Sequence, residues 1–385
     1  MRKISLSLLC LVVLFCFSSS QISSQTWSSL IRLTWNSGES KIPAITVDSS
    51  NVVHAVWFDE ASGNTEIFYK HSLNTGTSWS ANTRLTWNAG DSYSPVIAVN
   101  PGNQVHVAWY DRTPGNNEIF YKRSTNGGIT WSTLKRLTWN SGDSNIPSIA
   151  ADSCNRVHVA WYDMTPGNNE IFYKRSTDGG VTWSATTRLT WSPGLSFTPS
   201  IATGSGNSVH VVWYDYASTD YEIYYKQSTD GGATWSAITR LTWNTGNSLG
   251  ASVAVDSSGG IHVAWYYGDP GHRDIYYKRS SNGGTSWSGI TRLTWNTGDS
   301  YRLNLATDTS NGIHIVWRDK TPGNFEIFYK LSTNGGVNWL GTTRLTWNSG
   351  SSDHPDIAAD SNDDIHVIWQ DSSPGNAEIF YKNRK

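Results

Sequence analysis

The sequence is dominated by one internal repeat, marked by the phrase Arg-Leu-Thr-Trp. The tryptophan of this phrase recurs at a constant step of 52 residues, at positions 35, 87, 139, 191, 243, 295 and 347. A fixed period of this kind is the signature of one structural unit that is copied along the chain and stacks on its neighbours. Because the register never slips, one repeat should describe the fold of nearly the whole chain.

Each repeat contains four short runs with strand character, separated by turn residues. In the third full unit the runs are 146–151, 157–163, 170–175 and 182–190. Asp-Ser at 152–153, Thr-Pro-Gly-Asn at 165–168 and Asp-Gly-Gly at 178–180 punctuate them. No run has a helical period, so the pattern predicts an all-β fold.

The two ends of the chain predict how the repeats close. Four antiparallel strands per unit match a propeller blade, and radial closure protects the sheet edges. Segment 27–33 looks like a lone fourth strand, and 378–382 looks like a third strand. Joined, they complete a seventh blade, whereas a linear solenoid leaves both unpaired. We therefore predict a single seven-bladed β-propeller over 26–385, closed by the N-terminal strand joining the last blade.

The first residues predict export. Arg2 and Lys3 precede an apolar run at 4–17 and three serines at 18–20, which is the pattern of a signal peptide over 1–25. We expect a secreted or extracytoplasmic monomer with no membrane insertion after cleavage. Only Cys154 then remains, so no intramolecular disulfide is expected and packing must supply the stability.

Charge and composition limit the classes of partner that the chain is expected to bind. The formal net charge is -2, and lysines and arginines recur at fixed repeat positions instead of forming runs. This excludes the basic footprint typical of nucleic-acid binding. All 21 tryptophans fall in three columns of seven, represented by Trp35, Trp57 and Trp79, so we expect them to serve the fold. A buried tryptophan removes about 150–250 Å² from water.

Other side chains also repeat as columns, beginning at Arg32, Asp59, Glu66 and His54. A charged column that runs around a ring is expected to be structural. The histidines are expected to be buried and hydrogen-bonded, because zinc needs ligands that converge within bonding distance. We predict no metal and no cofactor. The loops with Asn140 and Asp143 remain open to calcium or to an ordinary turn.

The segment between the third and fourth strands carries a family resemblance. Ser-Thr-Asp-Gly-Gly-Val-Thr-Trp at 176–183 resembles the Asp box, or BNR repeat, of the sialidase superfamily. The acid or amide of the box can accept backbone N–H groups of the turn, its glycine takes a left-handed conformation, and its tryptophan packs back into the blade. The copy at 72–79 is degraded, and Trp27 is the remnant of a copy split by the termini. The structural positions of the five good copies are Asn126, Asp178, Asp230, Asn282 and Asn334.

The resemblance implies a propeller fold and places the functional face. Asp boxes lie away from the active site in this family. The functional face should therefore carry the connections from strand four to strand one, such as 139–144, and from strand two to strand three, such as 163–168.

A sialidase of this family needs three arginines, a tyrosine paired with glutamate, and an acid–base aspartate. The family's Arg-Ile-Pro motif appears here with Lys41 in place of arginine, which changes carboxylate recognition. Departures from the repeat concentrate in the fifth and sixth units. They suggest a carboxylate-binding set but no nucleophile, so no catalytic residue is assigned. The ligand-binding candidates are Arg273, Arg302, Arg318, Tyr266, Tyr267 and Lys41.

Three functions follow from this pattern. The favoured hypothesis is a secreted, non-catalytic recognition module whose repeated loops bind glycan or extracellular protein ligands multivalently. The second is an exo-sialidase-like glycoside hydrolase with one asymmetric pocket in the irregular units. The third is a structural envelope or matrix protein, for which no soluble ligand is expected.

Overall fold

The computed structural model describes residues 26–61, 63–217 and 219–385. The predicted signal peptide at 1–25 lies outside these residues. The described part is all β and forms seven sheets, each of four antiparallel strands. This part contains no helix that is long and apolar enough to cross a membrane. The predicted seven-bladed propeller is confirmed.

The strands have nearly the same bounds in every blade. The first strands are β2 (Ser40–Val47), β6 (Ser92–Val99), β10 (Ser144–Ala151), β14 (Ser196–Thr203), β18 (Ser248–Val255), β22 (Ser300–Thr307) and β26 (Ser352–Ala359). The second strands are β3 (Val53–Asp59), β7 (Val105–Asp111), β11 (Val157–Asp163), β15 (Val209–Asp215), β19 (Ile261–Tyr267), β23 (Ile313–Asp319) and β27 (Ile365–Asp371). The third strands are β4 (Glu66–Ser72), β8 (Glu118–Ser124), β12 (Glu170–Ser176), β16 (Glu222–Ser228), β20 (Asp274–Ser280), β24 (Glu326–Ser332) and β28 (Glu378–Arg384). The fourth strands are β1 (Ile31–Arg32), β5 (Thr83–Arg84), β9 (Lys135–Arg136), β13 (Thr187–Arg188), β17 (Thr239–Arg240), β21 (Thr291–Arg292) and β25 (Thr343–Arg344).

The fourth strand is much shorter than the sequence predicts. In the third blade only Thr187–Arg188 pairs with the sheet, although 182–190 was the expected run. Thr182 still belongs to the preceding turn, because its N–H donates to Asp178 at 2.8 Å. At the other end the Thr190 hydroxyl accepts the N–H of Ile171 at 2.8 Å, so a side chain replaces the next backbone bond.

The chain ends close the ring. Strand β1 pairs with β28 through Ile31 and Arg32, and Trp27 forms an isolated bridge with Arg384. The last sheet therefore has the order β1-β28-β27-β26. The predicted closure is confirmed, although the N-terminal strand has two residues instead of the seven expected.

The first strands are innermost, since each packs against the first strands of both neighbouring blades. Each carries a bulge; in β10 it lies between Asn145 and Ser148. Ile146, inside this bulge, has φ of 45°. The strand begins at Ser144, two residues before the predicted start, because pairing resumes on the outer side of the bulge.

The hydrophobic core lies between the blades, and one aromatic contact recurs at every junction. Tyr173 on β12 meets Trp235 of the next blade edge to face, with ring centroids 4.9 Å apart. The Tyr173 hydroxyl is 2.6 Å from His158 Nδ1. A Cβ on Gly232, whose φ is 82°, would lie 1.8 Å from that hydroxyl, so only glycine fits above it. The seven tyrosine–tryptophan distances span 4.9–5.1 Å.

The turn before the junction tryptophan is built as its sequence predicts. In the second blade Asn126 Oδ1 accepts the N–H of Thr130 at 2.9 Å, and Gly128 N donates to Ser124 Oγ at 2.8 Å. Trp131, however, packs on Tyr69 of the preceding blade, whereas we expected it to pack into its own. These turns therefore join blades as well as strands.

The histidine column is buried beneath these junctions. Five histidines contact an aspartate through Nε2, as His158 contacts Asp152 at 3.2 Å. Asn100 stands at the aspartate position next to His106. Burial lowers the pKa of His106 to about 3, and the nearby Arg123 adds to the shift.

A pH-dependent stability follows for His106. Its pKa in the folded chain, about 3, lies below the ordinary value of about 6.5, so the unfolded chain binds more protons between these values. Stability is therefore fully present above about pH 6.5 and falls as the pH drops towards 3. Asn100→Asp gives the histidine an acid partner and should reduce the loss. Urea unfolding at pH 7 and pH 4.5 measures it, and an unchanged or larger difference in the variant would contradict this account.

Trp27 should carry much of the ring closure. Its indole lies 5.0 Å from Tyr329, like the tryptophans of the six other junctions. Trp27→Ala should lower the free energy of unfolding by about 2–4 kcal/mol, since it removes a large, partly buried side chain. Trp35→Ala, at an exposed position, is the matched control and should cost about 1 kcal/mol or less. Equal denaturant midpoints for the two variants would show that Trp27 does not secure the ring.

Candidate functional site

One of the three tryptophan columns lies outside the core. The seven tryptophans of the Trp35 column are 64–67 % exposed, whereas those of the Trp57 column are fully buried. The expectation that all three columns serve packing is therefore wrong for this one. The cause is the short fourth strand: Trp35 lies beyond its end, in the linker to the next blade, and the sheet no longer covers it. The column consists of Trp35, Trp87, Trp139, Trp191, Trp243, Trp295 and Trp347.

Six of the seven exposed indoles are held between two blades by two cations, as Trp139 shows. Arg136 places its guanidinium carbon 5.7 Å from the indole centroid and its Nη2 2.8 Å from Glu118. Lys174, on the following blade, places Nζ 5.4 Å from the same centroid and donates to the carbonyl of Leu137 at 2.6 Å. Burial lowers the pKa of this lysine. These contacts fix the indole while leaving most of its surface open.

The arrangement repeats around the ring. An arginine lies 5.6–5.8 Å from each of the seven indoles. A lysine lies 5.3–5.6 Å from six of them. In the sixth blade Lys330 donates instead to Thr342 at 3.2 Å. The arginines also pair with an acid on the third strand, which confirms that the repeated arginine and glutamate columns are structural.

A cleft opens beside Trp139. It has a volume of about 590 Å³ and lies between that indole and the next blade, which contributes Phe172, Lys174 and Arg188. Pro166, from the connection between strands two and three, also lines it. Both connections expected to form the functional face therefore meet at one cleft.

Asp163, the acid that lines this cleft, is occupied by hydrogen bonds within the protein. Asp163 Oδ2 accepts the hydroxyl of Ser144 at 2.7 Å and the indole N–H of Trp161 at 3.2 Å, and also binds the Asn140 amide. Its Oδ1 accepts the N–H of Thr165 at 2.8 Å. Asn140 thus serves the turn that positions Trp139. The groups left facing the cleft are an aromatic surface and cationic donors.

A second candidate site lies at the mouth of the central channel. Here the bulges of the first strands bring seven residues around a cavity of about 440 Å³. All seven have positive φ, between 45° and 60°, a conformation that is strained for any residue but glycine. They are Ile42, Ser94, Ile146, Thr198, Gly250, Arg302 and His354.

One side of this ring is an arginine–acid cluster. Arg302 and Arg318 both pair with Asp353 Oδ2, Arg302 at 3.5 Å. His354 Nδ1 lies 3.3 Å from the same oxygen and 2.7 Å from Arg302 Nη1. Burial opposes ionisation of Asp353, but the hydrogen bond with His354 and the two arginine charges hold its pKa well below the ordinary range. The Arg318 guanidinium also stacks 3.9 Å from the centroid of Tyr301.

The other predicted residues divide between two places. The Arg273 guanidinium lies 5.5 Å from the Tyr266 ring and 5.1 Å from Tyr301, so these residues join the cluster. Tyr267 points away from it and meets Tyr276 at 5.4 Å, within the packing between the fourth and fifth blades. Lys41 pairs with Glu39 and lies 3.8 Å from Glu60. The structure thus unites Arg273, Arg302, Arg318 and Tyr266, but not Tyr267 or Lys41.

The cluster lacks the tyrosine–glutamate pair of a sialidase. All eight glutamates of the chain are engaged by arginines of the repeat or by Lys41. Burial raises the pKa of Tyr266, and the charges of Arg273 and Arg302 offset only part of that rise. Among the described residues, no group of three His, Cys, Asp or Glu side chains is placed to hold a metal ion.

Comparisons with known proteins identify the fold. No family model matches the chain, and no curated protein matches its sequence. A protein of unknown function from Dyadobacter fermentans aligns at 12% identity and a TM-score of 0.62, over 94% of this chain and 100% of that one. An ulvan lyase, which is a polysaccharide lyase, aligns at 10% and 0.65, over 90% and 94%. An intramolecular trans-sialidase from Ruminococcus gnavus aligns at 13% and 0.54, over 92% and 97%. The chain is a seven-bladed β-propeller whose fold is similar to the folds of this trans-sialidase and this lyase.

Asp353 should stabilise the channel mouth as an ionised group. Asp353→Asn leaves the nearly buried Arg318 without its carboxylate and should cost about 1–3 kcal/mol of unfolding free energy at pH 7. The folded pKa of Asp353 is depressed, so its contribution is present above about pH 4 and is lost as the pH falls. Asp269→Asn, on an exposed loop, is the control. A variant that matches wild type at pH 7 would contradict the assignment.

Proposed function

We propose that this protein is an exported, non-catalytic recognition module that binds glycans at repeated clefts on one face of the propeller. The observation that carries the proposal is the column of seven exposed tryptophans, each set at the same place between two blades. Exposed aromatic rings beside a cleft offer a ligand a stacking surface. Here they recur once per blade.

The chemistry of the cleft suits a sugar. The faces of an indole carry negative charge, and the C–H groups on one face of a pyranose carry partial positive charge, so the two pack well. Lysine and arginine at the cleft offer donors to hydroxyl groups. The volume beside Trp139, about 590 Å³, falls in the usual range of small-ligand sites. Two structural neighbours are described as a trans-sialidase and an ulvan lyase, which are carbohydrate-active proteins.

The number of repeated clefts should contribute more to overall binding than the affinity of any single cleft. Tryptophan stacking at a shallow cleft gives modest affinity to a single sugar unit. Several clefts on one face can engage one polysaccharide or one glycosylated surface, and each further contact then forms at high effective concentration.

A glycoside hydrolase of sialidase type is the second candidate, because Arg273, Arg302 and Arg318 converge at the channel mouth beside Tyr266. The pairing of Arg302 and Arg318 with Asp353, and the engagement of every glutamate elsewhere, weigh against it. Hydrolysis of a fluorogenic sialoside that Arg302→Ala and Arg318→Ala both abolish would establish that function in place of ours.

The number of binding sites per chain distinguishes the recognition module from a hydrolase with one pocket. We expect calorimetric titration with a short oligosaccharide, chosen from a glycan array, to give more than one site per chain. Replacing Trp139, Trp191 and Trp295 together by alanine should remove three sites and leave the affinity of the rest unchanged. It should also weaken binding to the corresponding polysaccharide by tenfold or more. Leu73→Ala, on the opposite face and 77% exposed, should change neither. A stoichiometry of one, or no ligand at all, would refute the proposal.

A further inference from the structure

The connection between the second and third strands of the fourth blade differs from its six counterparts. It places tyrosines at Tyr216 and Tyr221, where no other blade has one. The residues equivalent to Tyr216 are glutamate, arginine, methionine, glycine, lysine and serine, and those equivalent to Tyr221 are threonine, two asparagines, arginine, phenylalanine and alanine. The repeated fold therefore does not require these two rings.

The two tyrosines extend an aromatic cluster on the face that carries the exposed tryptophans. Tyr216 and Tyr221 have ring centroids 4.9 Å apart, and Tyr221 meets Tyr214 edge to face at 5.4 Å. Phe197 stacks on Tyr214 at 5.5 Å. Tyr162, on the third blade, meets Phe197 at 5.4 Å. These five rings form one continuous aromatic surface across two blades.

Tyr216 is fixed through its backbone while much of the residue stays open to solvent. Its N–H donates to the carbonyl of Leu195 at 3.1 Å. A Cβ on Gly194 would lie 1.9 Å from the Tyr216 carbonyl oxygen, so this backbone lies against the linker that carries Trp191. Tyr216 is 42% exposed. Because its backbone and Tyr221 already position it, the ring can stack on a ligand at a low entropic cost.

The inner end of the aromatic surface reaches the channel mouth. Tyr214 lines the cavity of about 440 Å³, together with Thr198 and Pro199 of the same blade. The surface thus leads from an exposed ring to a concave site, and concave sites suit small or narrow ligands. A glycan chain is narrow enough to contact the exposed ring and the cavity at the same time.

Asp220, in the same connection, supplies acceptors for hydroxyl groups. In five other blades the equivalent residue is an asparagine that donates to two carbonyls of the following linker, as Asn168 donates to those of Ser192 and Gly194. A carboxylate cannot donate in this way. Among the described residues, Asp220 accepts a hydrogen bond only from the Thr219 hydroxyl, at 3.2 Å, and it forms no ion pair.

We propose that the fourth blade holds a further glycan subsite, separate from the tryptophan clefts. One uncharged pyranose unit stacks on Tyr216 and donates hydroxyl groups to Asp220, and the following units extend along the aromatic surface towards Tyr214 and the cavity. The inference rests on the proposed glycan-binding function. A carboxylate or sulfate on the unit beside Asp220 would be repelled by its charge.

The test is fluorine NMR of protein labelled with 3-fluorotyrosine, with the resonances of Tyr216 and Tyr214 assigned through their Tyr→Phe variants. The probes are cellobiose, cellotetraose, β-1,4-galactobiose, β-1,4-galactotetraose and tetragalacturonate. We expect at least one neutral tetramer to shift both resonances. Its dimer should shift Tyr216 alone, because it is too short to reach the cavity. Tetragalacturonate should bind about tenfold more weakly.

The variant Asp220→Asn tests the acceptor role, and it restores the residue of five other blades. It should weaken tetramer binding about tenfold, as read from the Tyr216 resonance, because hydrogen bonds to a charged acceptor are lost. Calorimetry should show one site fewer in Tyr216→Ala and no loss in Tyr216→Phe. Met164→Ala, at the equivalent exposed position of the third blade, is the matched control and should change nothing. Thermal melting checks the fold of each variant.

The double variant Trp139→Ala/Trp295→Ala separates this subsite from the tryptophan clefts. Shifts of Tyr216 and Tyr214 that persist in this variant and weaken in Asp220→Asn support the inference. An unmoved Tyr216 resonance, equal affinity for tetragalacturonate, or an affinity that Asp220→Asn leaves unchanged overturns it, while binding that depends on the tryptophans keeps the proposed function. Binding of no probe by wild type, here and on a wider glycan array, overturns both.

Discussion

Neighbouring blades are joined where a tyrosine of one blade packs against a tryptophan of the next, and at six of the seven junctions that tyrosine also lies beneath a glycine of the next blade's turn. A buried histidine holds the tyrosine hydroxyl at 2.6–2.8 Å in all seven blades. Such an aromatic pair contributes roughly 0.5–1.5 kcal/mol beyond its buried area, so seven pairs give about 4–10 kcal/mol, which is comparable to the net stability of a domain. A ring that has only the free Cys154 among its described residues depends on this contact.

Because the junction lies on one face of the propeller, the opposite face is not needed to hold the blades together. The junction uses the turns between strands three and four and the tryptophan of the Trp79 column, while the Trp57 column is buried in the core between the blades. The opposite face needs only short connections, whose aspartates and asparagines fasten the loops. The third tryptophan stands on that face with no packing role, held by an arginine and a lysine that the blades already position. Side chains on that face can therefore differ from blade to blade without disturbing the ring.

The repeat was enough to predict the seven blades, the closure by the terminal strands and the structural role of the charged columns. It could not show that the Trp35 column is exposed, because a period of 52 residues assigns a column to a position in the blade and says nothing of its burial. Exposure depends on where the fourth strand ends, and that end is decided by a hydrogen bond that the Thr190 hydroxyl accepts from the N–H of Ile171. Departures from the repeat led correctly to Arg302 and Arg318 as neighbours. Asp353 and His354 are departures of the same kind and were missed. Tyr266 and Tyr267 were grouped together, although adjacent residues of a strand point to opposite faces.

The central claim is that two tryptophan columns build the ring while the third binds ligand, and fluorine NMR of the 5-fluorotryptophan-labelled protein tests it most directly. Saturation with a bound oligosaccharide should shift only resonances that single Trp→Phe substitutions assign to the Trp35 column. The fourteen others should stay in place. Shifts confined to the buried columns, or an unchanged Trp35 column in a protein with bound ligand, would contradict the account.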